Sequence, residues 1–345
     1  MRPLDLAAAG DVVAVDARDP YALAEALTDA SAEVLVNAAS YRVNLAAMEG
    51  ALAASCHYVD LGGLYHTTLR QLTLHDRFVG AGLTAVVGMG ASPGKTNLLA
   101  ALAGRRLDRP VEALHVAAAA TDPTPPGHTG LAAPYAIETI LDELTLPAVV
   151  LRDGEAGEVD ALTSGGIVDF PTPIGPRESV YTLHSELATF PASFPGVQEV
   201  SFRLSLAPAL ADRVELLARF GLADLEPLPL GDGTTVVPRR VLLASLARRG
   251  ATVPPSANTT AVHLVDAVGD GTTVRAAAVT VPHEGWGLGG GVVSTAAPAA
   301  EAARRLLRGD VSGPGVLAPE VAFEPTTFLD ALARTGCTTT VSETR

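Results

Sequence analysis

The segment VGMGASPGKTNLLAALAG (residues 87–104) decides the fold, because it joins a short apolar run to a helical pattern through a glycine-rich corner. Such a corner is typical of a phosphate-binding P-loop or of a strand-to-helix turn in a parallel α/β sheet. The P-loop pattern places four residues between its glycines, and Gly94, Lys95 and Thr96 would supply its end. The residue five positions before Gly94 is Met89, so the spacing fails. The sequence therefore favours a corner of a parallel sheet.

Composition and charge exclude several classes of protein. The 345 residues are 48% hydrophobic and 18% charged, which is typical of a globular chain with room for two domains. The net charge of −14 disfavours nucleic acid and anionic membranes as partners. No apolar run is long enough to span a membrane, no signal peptide is evident, and Cys56 and Cys337 fit no metal-binding spacing. We expect a cytoplasmic protein without a resident metal.

Short apolar runs and helical patterns alternate along the first hundred residues. Strands are predicted at 11–19, 33–40, 57–63 and 83–90, and helices follow at 20–30, 44–55, 68–82 and 92–107. Alternation at this interval is typical of a parallel sheet with right-handed crossovers. Ligands of such sheets bind at the carboxyl ends of the strands, and the corner in the quoted segment would lie there.

The pattern changes after about residue 110. The sequence predicts a strand at 111–121, a helix at 134–144, a hairpin around Asp270-Gly271, and helices within 285–310 and 328–336. We therefore predict three parts. Residues 1–108 form a Rossmann-like domain, 109–285 form an α+β substrate domain, and 286–345 form a helical segment that packs on the first domain.

Four segments resemble, in order, the saccharopine dehydrogenase-like family, which includes lysine 6-dehydrogenases and carboxynorspermidine synthases. They are VLVNAASYRVNLAAMEGALAASCHYVDLGG (34–63), AVVGMGASPGKTNLLA (85–100), HSELATFP (184–191) and GPGVLAPEVAFEPTTFLDAL (313–332). The resemblance implies a Rossmann domain for NAD or NADP, an inserted substrate domain and a C-terminal helix returning to the first domain. It implies hydride transfer between the nicotinamide and a C–N bond of a small amino acid or amine. A homodimer is also expected.

The chain departs from this family at its start. A Rossmann domain opens with a strand, a G-x-G-x-x-G loop and a helix. This chain opens with MRPLDLAAAGDVVAVDARD (1–19), which aligns by pattern with the third strand of such a domain. We therefore expect a Rossmann-like parallel sheet that lacks its first β-α-β unit. Either the start was placed too late, or the fold is shortened and its cofactor use is reduced or lost. The second case favours a non-redox descendant that condenses, cyclises or binds an amino-acid-like substrate.

Three residues are predicted to handle protons. Asp60 ends a predicted strand, where its carboxylate could hold a substrate ammonium, relay a proton or simply cap the next helix. His184 and Glu186 alternate along a predicted strand, so they would share one face. A histidine–carboxylate pair in a cleft can donate and accept protons near neutral pH, although the same pattern also occurs at solvated edges.

Further residues are candidates for binding. Those expected at the cofactor are Asn37, Ala38, Ala39, Gly62, Gly88, Gly90, Pro93 and Gly94. Those expected at the substrate are Tyr41, His66, Lys95, Arg177 and Trp286. Lys95 would lie in the first turn of a helix, where the helix dipole disfavours a cation, so we expect it to bind a carboxylate or phosphate unless it is solvated. Arg177 could hold a carboxylate with its guanidinium fork.

Overall fold

The computed structural model describes residues 10–122, 124, 135–249 and 256–345. Within them the helices are α1 (Pro20–Asp29), α2 (Asn44–Ala53), α3 (Leu64–Leu72), α4 (His75–Ala81), α5 (Lys95–Arg106), α6 (Ile137–Thr145), α7 (Glu186–Ser193), α8 (Pro208–Arg219), α9 (Pro238–Arg249), α10 (Gly290–Arg308), α11 (Pro319–Ala322) and α12 (Pro325–Ala333). The strands are β1 (Val34–Asn37), β2 (His57–Asp60), β3 (Thr84–Val86), β4 (Ala113–Ala120), β5 (Ala148–Arg152), β6 (Glu155–Val159), β7 (Ser164–Phe170), β8 (Gly175–Tyr181), β9 (Glu199–Ser205), β10 (Leu228–Pro229), β11 (Thr235–Val236), β12 (Ala261–Gly269), β13 (Thr272–Thr280), β14 (Gly315–Leu317) and β15 (Cys337–Thr344).

The first part of the chain builds a parallel sheet. Its four strands run in the order β1-β2-β3-β14, and every pairing is parallel. Tyr58, Val59, Ala85 and Val86 of the inner strands are fully buried, as expected for a sheet covered on both faces. The carboxyl ends of β1, β2 and β3 meet at one edge. This arrangement confirms the predicted parallel α/β sheet and places the glycine-rich corner after β3.

The strand predicted at residues 11–19 is wrong. Residues 11–16 form no strand, and the side chains of Val12 and Val13 are 68% and 70% exposed. Among the described residues, no strand pairs with the outer side of β1. A β-branched run becomes a strand only where a neighbour shares its backbone hydrogen bonds, and local sequence does not report that neighbour.

The helix predicted at 68–82 is two helices. α3 ends at Leu72 and α4 begins at His75, so the chain turns once between them. Gly82 caps the C-terminus of α4 in the left-handed region, with φ of 67°, as predicted from the glycine at this position.

The second part builds a larger sheet of nine strands. The main path is β15-β13-β12-β4-β9-β5-β6, and the β7–β8 hairpin joins it through β9. The predicted hairpin is confirmed, since β12 and β13 turn at Asp270 and Gly271, both with positive φ. α5 and α10 pack against β12 and β13, and α10 also packs against β1 and β2, so one face of this sheet lies toward the parallel sheet. His263, Ala118 and Leu204 are in register and share one face of the sheet.

The C-terminal segment contributes to both sheets. α10 packs against β1 and β2, and β14 joins β3, in agreement with the expected return to the first domain. β15 was not predicted, and it pairs along its length with β13. Its run CTTTVSET is rich in β-branched residues, which is the strand signal that was missed. Residues 286–345 therefore tie the two sheets together.

Candidate active site

A cavity of about 470 Å³ lies between the carboxyl edge of the parallel sheet and the large sheet. The corners after β1, β2 and β3 line one side with residues 38–41, 61–64 and 91–93. α6 and the two residues before it line another side, and β4, β9 and β12 form the floor. Open parallel sheets bind ligands at this position, so the cavity is the candidate site.

His184 and Glu186 form a buried pair at this cavity. His184 lines the cavity, and its Nδ1 is hydrogen-bonded to a carboxylate oxygen of Glu186. The imidazole ring stacks on Phe202 with the ring centroids 3.6 Å apart. The other oxygen of Glu186 accepts hydrogen bonds from Thr96 Oγ1 at 2.6 Å and Ser92 Oγ at 2.9 Å. The glycine-rich corner therefore fixes the carboxylate, which in turn fixes the histidine ring.

The predicted reason for this pairing was wrong. His184 lies in the loop after β8, and Glu186 is the first residue of α7, so no strand alternation brings them together. A helix N-terminus favours a carboxylate. Burial alone would lower the pKa of His184, but Glu186 outweighs it and the pKa is raised. Burial alone would raise the pKa of Glu186, but His184 outweighs it and the pKa is lowered. Both shifts favour the imidazolium form of His184 and the carboxylate form of Glu186.

Asp60 lies behind the cavity wall. One oxygen accepts hydrogen bonds from the backbone N–H groups of Gly88 at 2.7 Å and Gly62 at 2.9 Å. The other accepts from Gln71 Nε2 at 2.5 Å and the Tyr58 hydroxyl at 3.0 Å. Burial raises the pKa of Asp60 although these donors oppose the shift. Its surroundings favour a role in joining the corners after β2 and β3, and the predicted proton transfer stays a prediction.

The glycines of these corners allow close packing. Gly62 and Gly88 have positive φ, and a Cβ atom on either would approach the Pro93 ring within 3 Å. Gly94, with φ of 118°, lies against the Gly90 backbone. Of the predicted cofactor residues, Ala38, Ala39, Gly62 and Pro93 line the cavity. Asn37, Gly88, Gly90 and Gly94 do not, and Asn37 instead bonds Asn44 at 2.9 Å.

Lys95 lies outside the cavity, contrary to prediction. Its side chain is fully buried, and Nζ donates to Thr280 Oγ1 at 3.0 Å and to Ser294 Oγ. Burial lowers the pKa of Lys95, and no carboxylate of the described residues pairs with it. The lysine thus links α5 to β13 and α10. A P-loop lysine would point at the glycine loop, so this direction also argues against that motif.

Of the other four predicted substrate residues, one lines the cavity and three do not. Tyr41 lines the cavity, and its hydroxyl donates to Asp142 Oδ2 at 2.8 Å. Arg177 instead donates to the Ala120 carbonyl oxygen at 2.9 Å. His66 is exposed on α3, and Trp286 is 55% exposed and stacked on His283. The structure therefore places these last three outside the candidate site.

Three residues of the site were missed from the sequence. Glu143 of α6 and Tyr135 line the cavity, and the Tyr135 hydroxyl donates to Glu143 Oε2. His263 of β12 also lines it, and its Nδ1 is buried without a hydrogen-bond partner among the described residues. A signal was present for Glu143, because it falls on the apolar face of α6 beside Ile140 and Leu144.

The described ranges contain neither a helix that could span a membrane nor a cluster that could hold a metal ion. No helix there combines the length and the apolarity that crossing a membrane requires. No group of three or more His, Cys, Asp or Glu side chains there is arranged to hold a metal ion.

Comparison with known proteins shows the family. Residues 8–86 match the family model described as saccharopine dehydrogenase NADP binding domain, and residues 90–337 match the one described as saccharopine dehydrogenase C-terminal domain. Carboxynorspermidine synthase of Vibrio cholerae is 25% identical over 345 residues, which cover 93% of this chain and 80% of that protein. Carboxyaminopropylagmatine dehydrogenase of Synechocystis sp. is 25% identical over 240 residues, which cover 68% of this chain and 59% of that protein.

Solved structures agree on the fold. Homospermidine synthase from Legionella pneumophila, solved in complex with NAD, superposes with a TM-score of 0.71 at 12% identity. The match covers 100% of this chain and 83% of that one. With both family models matched in the expected order, the predicted family, its Rossmann-like fold and the nicotinamide dinucleotide class of cofactor are confirmed, and this chain belongs to the saccharopine dehydrogenase family.

Proposed function

We propose that this protein is an NAD(P)-dependent oxidoreductase that acts on a C–N bond of a small amine or amino acid. The observation that carries the proposal is the buried His184–Glu186 pair, which faces a cavity at the carboxyl edge of the parallel sheet. The named relatives are a synthase and a dehydrogenase of carboxylated amines, and their chemistry supports this choice.

His184 would handle the proton that accompanies hydride transfer. In the reductive direction, the C=N carbon gains a hydride and the nitrogen gains a proton, and the oxidative direction reverses both. Glu186 occupies Nδ1, and no described residue bonds Nε2, so Nε2 is free for the substrate nitrogen. The raised pKa of His184 favours its protonated form, which is the form that donates in the reductive direction.

The nicotinamide end of the cofactor fits the corners after β1 and β2. Ala38, Ala39, Gly62 and Gly63 line the cavity there, and their small side chains allow a flat ring to approach the backbone. When bound, the nicotinamide supplies or accepts the hydride. The corners would orient the ring and exclude water from one of its faces.

Hydride transfer tests the proposal directly. NADPH, NADH, NADP or NAD would be mixed with the chain and a panel of amines and amino acids, and the nicotinamide absorbance would be followed. A substrate-dependent change that is abolished in the His184→Gln variant supports the proposal. No change with any member of the panel, in this chain and in one extended through an upstream reading frame, contradicts it.

A non-redox descendant is the second candidate function. Among the described residues that line the cavity, none is a lysine or arginine that could neutralise the cofactor's phosphates. Such a protein would bind or condense an amino-acid-like molecule in the same cavity. It would bind a small amine or amino acid without any response to nicotinamide dinucleotides.

A further inference from the structure

The segment 94–96 has the residue types that end a P-loop, and its side chains bind the protein itself. Lys95 links α5 to β13 and α10. Thr96 lies in the first turn of α5 and is fully buried, and its hydroxyl donates to Oε1 of Glu186 at 2.6 Å. The threonine of this segment is therefore directed at the carboxylate that is paired with His184.

A second hydroxyl group from the same corner reaches the same oxygen. Ser92 Oγ donates to Glu186 Oε1 at 2.9 Å. The other oxygen of this carboxylate, Oε2, is bonded to His184 Nδ1. Two hydroxyl donors thus hold one oxygen of a fully buried carboxylate, and the imidazole ring holds the other.

The balance of charge in this pair changes during the proposed reaction. In the reductive direction the proton leaves His184 Nε2 for the substrate nitrogen, and the neutral ring keeps its proton on Nδ1. Glu186 is then still ionised and buried, but the cation that balanced it is gone. A buried carboxylate without a counter-ion is costly. Hydrogen bonds to Glu186 should therefore stabilise this later state more than they stabilise the ion pair.

The neighbouring titratable groups do not replace the lost cation. Among the described residues, His184 is the one basic side chain that forms an ion pair with Glu186. Glu143 of α6 also faces His184, and its negative charge helps to raise the pKa of that ring. His263 of β12 faces it as well, but burial lowers the pKa of His263 far below its ordinary value, so His263 is neutral. The hydroxyl groups of the corner are left to stabilise the carboxylate.

We propose that Thr96, assisted by Ser92, stabilises the Glu186 carboxylate once His184 has released its proton, and thereby lowers the barrier to proton donation. Thr96 does not line the cavity, so it is a positioning residue that acts through Glu186 and His184. The proposal rests on the proposed function in taking His184 as the acid.

Titration of the His184 ring by NMR, without nicotinamide or substrate, tests the inference separately from the redox chemistry. The His184 signal is the one that is absent from the spectrum of His184→Gln. In Thr96→Val the lone carboxylate loses a donor that it needs more than the ion pair does. The pKa of the ring should therefore rise by about one unit, since a hydrogen bond to a charged group is worth roughly that much. Thr96→Ser keeps the hydroxyl group and should restore the pKa.

Kinetics tests the effect on the reaction. At a pH below this pKa, where the ring is protonated in both proteins, Thr96→Val makes His184 a weaker acid. In the reductive direction kcat should fall about threefold to tenfold, and KM should stay within about twofold. The fall in rate at high pH should move to higher pH together with the pKa.

Thr84→Val is the matched control. Thr84 is a buried threonine of β3 that does not line the cavity, and its hydroxyl donates to the Gly313 carbonyl oxygen at 2.8 Å. Its substitution removes a comparable hydrogen bond and should leave the pKa of His184 unchanged. Ser92→Ala removes the other donor to Glu186 and should shift this pKa upward too, so the inference stays testable if Thr96→Val does not fold.

A pKa of His184 that fails to rise in the folded Thr96→Val and Ser92→Ala proteins overturns the inference. An equal rise in Thr84→Val does so as well, because the effect would then be general. If the pKa rises as expected but no substrate supports hydride transfer, the proposed function fails and the stabilisation of Glu186 by Thr96 stands.

Discussion

The corner after β2 and the wall formed by α6 each bury a carboxylate, and the two differ in what surrounds it. Asp60 accepts four hydrogen bonds from the protein and does not line the cavity. Glu143 accepts one from a described residue and lines the cavity. Burial raises the pKa of both groups, so the shift alone does not separate them. What separates them is the number of hydrogen bonds that each accepts from the protein. A carboxylate that is fully hydrogen-bonded holds the fold together, and one with few donors that lines a cavity indicates a ligand.

The largest expected effect concerns Asp60. In Asp60→Ala the backbone N–H groups of Gly62 and Gly88 lose their acceptor, and each buried unpaired donor costs roughly 1–3 kcal/mol. We expect the free energy of unfolding in urea to fall by about 3 kcal/mol or more. Asp60→Asn, which keeps one acceptor oxygen, should lose less. A folded Asp60→Ala protein of unchanged stability that no longer transfers a hydride would support the catalytic role predicted from the sequence.

The next largest effect is expected for His184→Gln, which should lower the reaction rate and leave the fold unchanged. Loss of a general acid typically lowers kcat by about a hundredfold or more, and we expect this for His184→Gln with little change in KM. In the reductive direction, the rate of the unchanged protein should fall as the pH rises through the raised pKa of His184. His66→Gln is the matched control, since His66 is exposed and lies outside the cavity. Equal rates for the two variants would contradict the proton-transfer role.

Lys95 tests how a buried cation, held by two hydroxyl groups, affects stability. Burial lowers its pKa below 10.5, so the unfolded chain binds this proton more readily than the folded one. Stability should therefore rise as the pH increases toward 10.5, and Lys95→Met should lack that rise. At pH 7 we expect the variant to be neutral or more stable by about 1 kcal/mol, as measured by urea unfolding. A strongly destabilised variant would show that the two hydroxyl contacts outweigh the burial of the charge.

The smallest effect is expected for Tyr135→Phe. The hydroxyl donates to Glu143 and holds the pKa of that carboxyl down, so its loss should raise the pKa by about half a unit. Titration of the Glu143 carboxyl by NMR in the two proteins checks this. A pKa that does not rise would show that the hydroxyl does not stabilise the charged carboxylate.

Local pattern predicted the frame of the molecule but not the contacts that make the site. The alternation of strands and helices placed the glycine corner at the carboxyl edge, because period and turn residues are local properties. The bond between Thr96 and Glu186 joins positions 90 residues apart, so no local pattern could report it. The same reason explains the unexpected inward direction of Lys95, whereas β15 was missed although its β-branched run carried a local strand signal.

Glu143 was missed for a different reason. The helix that carries Glu143 was predicted, but this residue was not recognised as a polar residue on the apolar face of that helix. A carboxylate on the apolar face of an amphipathic helix must be paired or must face a ligand, so a residue of this kind indicates either a buried ion pair or a binding site. His263 gave no comparable signal, since its buried surroundings include β4, which is far from β12 in the sequence.

Titration of the chain with NADPH and NADH, followed by nicotinamide fluorescence, tests the central claim most directly. The account predicts saturable binding at micromolar concentrations, with the Glu143→Gln variant binding the cofactor as tightly as the unchanged protein. A flat titration for both nucleotides, in this chain and in one extended upstream, would contradict the redox function and assign the cavity to a non-redox reaction.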